Sequence, residues 1–160
     1  MKTAIVYESL TGNTKLLADT IAAHLGGADY IGAPTEEAAQ ADTLYIGFWT
    51  DKGSCTPALA KFLGTLQNKN IFLFGTAGFG GDSAYFEQIL ARVKENILES
   101  NTITGTYMCQ GKMPTSVRAR YEKIAQDPAQ AKKMAMMIEN HERALSHPND
   151  EDLDALRKML

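Results

Sequence analysis

Two cysteines, five prolines and a single tryptophan are little for a chain of 160 residues, and each scarcity removes a class of protein. Cys55 and Cys109 stand far apart with no paired spacing, so neither a disulfide scaffold nor a zinc site is indicated and no metal is expected. No apolar run approaches the roughly 20 residues needed to span a bilayer. The opening Met1-Lys2-Thr3-Ala4-Ile5-Val6-Tyr7 is too short for a signal peptide and meets polar Glu8-Ser9 at once. Charge of one sign is also missing: 16 Lys+Arg against 19 Asp+Glu leave a formal −3. A nucleic-acid binder would need clustered positive charge to release counterions. What remains is a cytoplasmic globular protein with no nucleic-acid or membrane partner. At 44% apolar and 22% charged residues, one domain of this size buries roughly two-thirds of its unfolded surface and needs no staples.

Short apolar runs alternate with helical patterns. Thr3-Ala4-Ile5-Val6-Tyr7, Thr43-Leu44-Tyr45-Ile46-Gly47-Phe48, Ile71-Phe72-Leu73-Phe74 and, more weakly, residues 103–109 read as strands without polar alternation. Such runs suit a parallel sheet covered on both faces. Residues 28–32 form a weaker edge candidate. Helical stripes occupy residues 13–24 (Leu17, Ile21, Leu25), 57–66 (Leu59, Phe62, Leu63, Leu66) and 83–98 (Phe86, Ile89, Leu90, Val93, Ile97). Five strands with intervening helices point to one doubly wound α/β sheet. Two further helices are expected over 115–126 and 128–145, the second with Met134, Met137, Ile138 and Leu145 in the core. A short last helix follows, with Asp150 as N-cap and its leucines packed back on the domain.

Ligands of open α/β sheets bind at the carboxyl ends of the strands, and three of those loops are unusual. Ser9-Leu10-Thr11-Gly12-Asn13-Thr14 supplies three hydroxyls, one glycine and one Asn within six residues at a helix N-terminus, where unpaired N–H groups and the helix dipole favour an anion. A well-capped helix start explains one such residue, but not three hydroxyls together. The loop lacks the Gly-Lys-Ser/Thr of a triphosphate loop and the Gly-x-Gly-x-x-Gly of a dinucleotide fold; a terminal monophosphate fits better. The second loop, Gly47-Phe48-Trp49-Thr50-Asp51-Lys52-Gly53-Ser54-Cys55, holds the only tryptophan. Its indole either ends the core strand or lies against a flat conjugated ring. The third, from Gly75-Thr76-Ala77-Gly78-Phe79-Gly80-Gly81 to Tyr85, has four glycines in seven residues, an entropic cost that close approach of main chain to a ligand would offset. Phe79 is its apolar outlier and Tyr85 opens the next helix. After strand five, Met108-Cys109-Gln110-Gly111-Lys112-Met113-Pro114 qualifies by position alone. Cys109 either lines the pocket or is buried and inert.

Ser9-Leu10-Thr11-Gly12-Asn13-Thr14 after an N-terminal strand resembles the Ser/Thr-x-Thr-Gly-x-Thr phosphate loop of the flavodoxins, and the other two loops follow in the family's order. The resemblance covers about residues 1–145. It implies a flavodoxin-like three-layer α/β/α fold with a five-stranded parallel sheet of order 2-1-3-4-5, leaving 146–160 as a C-terminal helical extension. It implies FMN as cofactor, its phosphate on residues 9–14 and its ring beside Phe48, Trp49, Thr50, Asp51, Lys52 and Gly53. Thr76, Ala77, Gly78, Phe79, Gly80 and Tyr85 would lie on the ring's other side, with Phe79 the first choice of stacking residue. Many flavodoxins carry Ser/Thr-Trp-Gly-Asp in the second loop; here the tryptophan comes earlier and the glycine later.

Within the family, Gly47-Phe48-Trp49-Thr50-Asp51-Lys52-Gly53 together with the third loop looks like a short-chain subgroup of the kind that accompanies bilirubin reductase. The function implied is electron transfer to a redox partner protein, such as a flavoenzyme reductase, by a monomer or weak dimer. The alternative is an FMN-dependent NAD(P)H:quinone-type oxidoreductase, which the scattered Arg92, Arg118, Arg120, Arg143 and Arg157 do not favour. A response regulator lacks its second acidic strand end at Phe48-Trp49, and a low-molecular-weight phosphatase lacks an arginine six residues after either cysteine. His24, His141 and His147 do not cluster and carry no assigned catalysis.

Overall fold

The computed structural model describes residues 2–80 and 82–160; Met1 and Gly81, one of the four glycines of the third loop, lie outside the described residues. Five strands, β1 Thr3–Tyr7, β2 Tyr30–Gly32, β3 Thr43–Trp49, β4 Asn70–Ala77 and β5 Thr102–Gln110, form one parallel sheet of order β2-β1-β3-β4-β5. This is the order expected of a flavodoxin-like fold. The helices are α1 Asn13–Leu25, α2 Pro57–Leu63, α3 Ser83–Lys94, α4 Thr115–Ile124, α5 Ala131–Ala144 and α6 Asp150–Met159, with a short 3₁₀ turn at Ala38–Gln40.

The period-two alternation of a strand divides the core between the two faces. Ala4, Val6, Leu44, Ile46, Phe48, Ile71, Leu73 and Met108 pack with Leu59 and Leu63 of α2 and Ile89, Leu90 and Val93 of α3. Ile5, Phe72, Phe74 and Cys109 pack instead with Leu17, Ala18 and Ile21 of α1 and Leu156 of α6. The two central strands meet closely through a reciprocal arrangement. A Cβ on Gly47 would stand 2.4 Å from the Phe74 ring, and one on Gly75 would stand 2.3 Å from the Phe48 ring. Each aromatic therefore lies over the glycine of the neighbouring strand, one pair on each face.

The C-terminal third differs in detail from the sequence reading. The buried stripe of α5 runs through Met134, His141 and Ala144. Leu145 caps that helix beside the stripe and is 52% exposed rather than in the core. Asn149, not Asp150, is the N-cap of α6: its side chain accepts from the Asp152 N–H at 3.0 Å while the Asp152 carboxylate accepts from the Asn149 N–H at 2.8 Å. This reciprocal capping box satisfies two otherwise orphaned donors. The last helix packs against α1 and β5, with Leu156 fully buried, Leu153 and Leu160 partly so and Met159 left outside. The Tyr107 hydroxyl of β5 also donates to the Asp152 carbonyl at 2.7 Å. The α4–α5 hairpin lies between β5 and this helix in the chain, the two helices packed on each other.

Because Leu156 has no exposed surface, Leu156→Ala is expected to lower unfolding stability by about 2–5 kcal/mol. Urea denaturation followed by circular dichroism measures this; an unchanged midpoint would make α6 an appendage.

Candidate functional site

The strand ends are tied together by hydrogen bonds centred on Thr14, in the first turn of α1. Its fully buried hydroxyl donates to the Phe48 carbonyl at 3.2 Å and pairs with the Thr76 hydroxyl at 3.3 Å. With the Thr14 proton directed to Phe48, Thr76 is the donor of the second bond. The second and third loops are also joined directly, because the Thr50 N–H and hydroxyl both donate to the Thr76 carbonyl at 2.9 and 2.8 Å. The Asn13 amide and the Thr11 hydroxyl donate to the Lys112 carbonyl at 2.8 and 3.2 Å, drawing in the loop after β5. Gly111 is required there: a Cβ would stand 2.4 Å from the Asn13 amide nitrogen. The Gly78 carbonyl accepts from Gln110 at 2.9 Å and from Asn140 of α5 at 3.1 Å. His141 Nε2 lies 3.2 Å from the Pro114 carbonyl, fastening α5 to the start of α4.

Gly12 is the N-cap of α1 at φ 90°, a left-handed conformation that suits glycine. The turn places the Ser9 hydroxyl oxygen where it accepts from the N–H groups of Gly12 and Lys15 at 3.1 and 3.3 Å. Among the described residues, the N–H groups of Asn13 and Thr14 have no protein acceptor. These are two of the orphan donors that every helix start leaves. The second loop closes as a tight turn in which Asp51 and Ser54 exchange both backbone bonds at 2.7 and 3.1 Å. Lys52 and Gly53 sit between them at φ 52° and 82°, the signs a type I′ turn requires. Arg92 of α3 supports it, donating from Nη1 to the Gly53 carbonyl at 3.3 Å.

A cavity of about 450 Å³ opens among these loops, within the usual size range for ligand sites. Leu10, Thr11 and Asn13 line it from the first loop, and Trp49, Thr50, Lys52 and Gly53 from the second. Thr76, Ala77, Gly78, Phe79 and Tyr85 contribute from the third. Phe79 and Tyr85 meet edge to face with ring centres 6.4 Å apart and planes at 89°. A larger cleft of about 750 Å³ lies near Glu8, Pro34 and Phe62. It is bordered by neither the α1 N-terminus nor paired aromatics, so the smaller cavity is the better-built site.

The other sequence candidates are placed around the cavity rather than on its wall. Ser9 and Gly12 shape the first turn, Thr14 is the buried knot, and Phe48 is core beneath Gly75. Asp51 closes the second turn, and Gly80 packs against Gln110. Cys109 is 3% exposed on the α1–α6 face, away from the cavity lining. Gly111, Lys112, Met113 and Pro114 of the loop after β5, a candidate by position alone, line the cavity, whereas the sequence reading missed Val117, Arg120 and Tyr121 of α4. The spacing of Val117, Arg120 and Tyr121 at i, i+3 and i+4 is one helix face and was the available signal.

Burial raises the acid–base midpoints of the groups behind the cavity. It pushes the Cys109 thiol and the Tyr107 phenol well up, with the Asp152 charge adding to both, and it raises the Cys55 thiol. Burial also raises the Tyr85 phenol, opposed by Arg92. All four groups are neutral near pH 7, so the uncompensated charge at the site comes from Lys52, Lys112 and Arg120.

A flavodoxin-domain family model matches residues 4–160, and the chain belongs to the flavodoxin family, whose members are flavin electron carriers. It is 37% identical over 179 aligned positions to the flavodoxin-like domain-containing protein BilS of Clostridium symbiosum, covering 100% of this chain and 94% of that one. BilS of Clostridioides difficile is 31% identical over 159 positions, covering 96% and 90%. Among solved structures, a flavodoxin from the domain Archaea superposes with TM-score 0.61 at 17% identity, over 99% of this chain and 93% of that one. Among the described residues, no helix is long and apolar enough to cross a membrane.

Two predictions follow from the knot and from the buried thiol. Thr14→Val keeps the shape but leaves the Phe48 carbonyl and Thr76 hydroxyl without their partner, and should cost about 1–3 kcal/mol of stability, read by urea unfolding. The raised Cys109 and Tyr107 midpoints mean that the unfolded chain loses these protons first, from about pH 8.5 and about pH 10. The stability they provide is complete below about pH 8.5 and falls as pH rises further. Urea midpoints between pH 7 and about pH 11 should therefore decline, and Cys109→Ala should flatten the early part of that decline. A parallel slope in the variant would refute the assignment.

Proposed function

We propose that this chain binds FMN in the 450 Å³ cavity and carries electrons to a redox partner protein. One observation carries the reading: the first loop leaves two helix N–H donors without a protein acceptor, next to a Ser9 hydroxyl whose proton is uncommitted, beside a cavity walled by Trp49, Phe79 and Tyr85. This donor set suits a terminal phosphate without a cationic clamp, and the aromatic walls suit a flat ring. The N–H groups of Asn13 and Thr14, with the Ser9 hydroxyl, would hold the phosphate. Trp49 would lie on one side of the ring and Phe79 or Tyr85 on the other, with the Lys52–Gly53 turn at its edge. FMN supplies reversible one- and two-electron chemistry when bound; the protein contributes orientation, field and exclusion of water.

The arginines support a carrier over a nicotinamide-dependent reductase. Arg118, Arg143 and Arg157 are paired with carboxylates and Arg92 supports the Gly53 turn. Only Arg120 remains at the cavity, too little for a clustered nicotinamide-phosphate pocket. The resemblance to short-chain members points to a flavoenzyme reductase of the bilirubin-reductase kind as partner, in the cytoplasm.

Titration of the purified chain with FMN, followed by visible absorbance and quenching of flavin fluorescence, should reach one FMN per chain. Riboflavin, which lacks the phosphate, should bind at least about tenfold more weakly, a difference of about 1.4 kcal/mol. The loaded chain alone should oxidise neither NADH nor NADPH at an appreciable rate. Equal affinities would overturn the phosphate assignment, and rapid NAD(P)H oxidation would establish the reductase instead.

A further inference from the structure

The chain carries a formal charge of −3, yet the cavity lining contains Lys52, Lys112 and Arg120 and no Asp or Glu. None of the three forms an ion pair among the described residues, whereas Lys15, Arg118, Arg143 and Arg157 are each matched to a carboxylate. Arg92 adds a further cation beneath the second loop, bonded only to the Gly53 carbonyl. The nearby carboxylates do not lie on the cavity wall. Asp82 caps α3 by accepting from the Ala84 N–H at 2.9 Å, and Asp51 closes the Lys52–Gly53 turn. Lys112 belongs to the first-loop side, where it also borders a small cleft with Thr11, Gly12 and Asn13. A phosphate held there would offset its charge. Lys52, Arg92 and Arg120, all exposed, are left on the ring side.

Two apolar side chains at the cavity are also open to solvent, Leu10 at 58% and Phe79 at 36%. Exposed apolar contacts among unpaired cations have the composition of a docking face. Screening limits the reach of the remaining charges to about 10 Å at 0.1 M salt, so a visitor at the mouth meets the local charge and not the net charge. We infer that the cavity mouth is the docking surface for an acidic redox-partner protein, with Lys52, Arg92 and Arg120 supplying the attraction although the chain as a whole is acidic. This rests on the flavin reading above.

The test uses the full chain loaded with FMN, reduced anaerobically and mixed by stopped flow with trianionic ferricyanide or tricationic hexaammineruthenium, each ion accepting one electron. Salt is varied from about 0.1 to about 1 M, over which the Debye length falls from about 10 to about 3 Å and the local charge stays the one that is felt. The ferricyanide rate should fall at least about threefold and the ruthenium rate should rise, as local attraction and repulsion are screened. Lys52→Asn combined with Arg120→Gln should flatten both slopes; asparagine tolerates the positive φ of position 52. Cytochrome c whose lysines are succinylated to negative charge should be reduced faster at low salt than the native basic protein. Slopes of the opposite sign, no salt dependence, or faster reduction of native cytochrome c would each overturn the proposal while leaving a yellow, flavin-loaded protein. A chain that never acquires the flavin band overturns the function and the docking surface together.

Discussion

The site depends on one buried hydroxyl. Thr14 belongs to α1, but its oxygen is bonded to the carbonyl end of β3 and to the side chain of Thr76 on β4. A hydroxyl without exposure must satisfy its hydrogen bonds within the protein, because water cannot replace a lost partner. That requirement fixes the start of the helix over the two central strands. The N–H groups of Asn13 and Thr14, without a protein acceptor, are thereby held at the strand end where the second and third loops also meet. The helix start and the aromatic-walled cavity are thus positioned by one bonded group.

The close approach has its counterpart lower in the sheet. Phe74 over Gly47 and Phe48 over Gly75 bring rings down onto the backbone of β3 and β4 on both faces. The methyl group of Thr14 sits near the same Gly47, where an added Cβ would stand 2.9 Å from it. Glycines inside strands, which usually weaken them, here admit the aromatic packing and the helix start together. On the far side, α4 and α5 are held by the Gln110, Asn140 and His141 bonds and turn an open sheet edge into a walled cavity.

Much of this was legible in the residues. Apolar runs without alternation marked the buried strands, and Leu17 and Ile21 at i, i+4 marked the inner face of α1, although Leu25, the third of that stripe, is left exposed at the helix end. The hydroxyl-rich first loop marked the start of α1 as a candidate site before any geometry was known, and residues of that loop do line the cavity. The roles within that loop were not legible, because Ser9, Thr11 and Thr14 look alike in sequence and have different partners in space. Ser9 shapes the turn, Thr11 reaches the Lys112 carbonyl, and Thr14 ties the strands together. The α4 wall was ambiguous for another reason: the shared helix face of Val117, Arg120 and Tyr121 fits a core or a cavity wall equally well, and only the hairpin's placement beyond β5 turns it to the cavity. Leu145 failed similarly, since helical spacing identifies a stripe but not which edge of it is left in water.

The pairing of α1 with α6 makes the layer beneath the first loop depend on a helix remote from it in the chain. Leu17 and Ile21 share their cluster with Leu156 as well as with Ile5 and Phe74, so a loosened α6 would uncover one side of α1. The turn at Gly12 would then stand on a softer base although no residue near it had changed. Alterations in α6 therefore reach the strand-end loops through packing, without touching them.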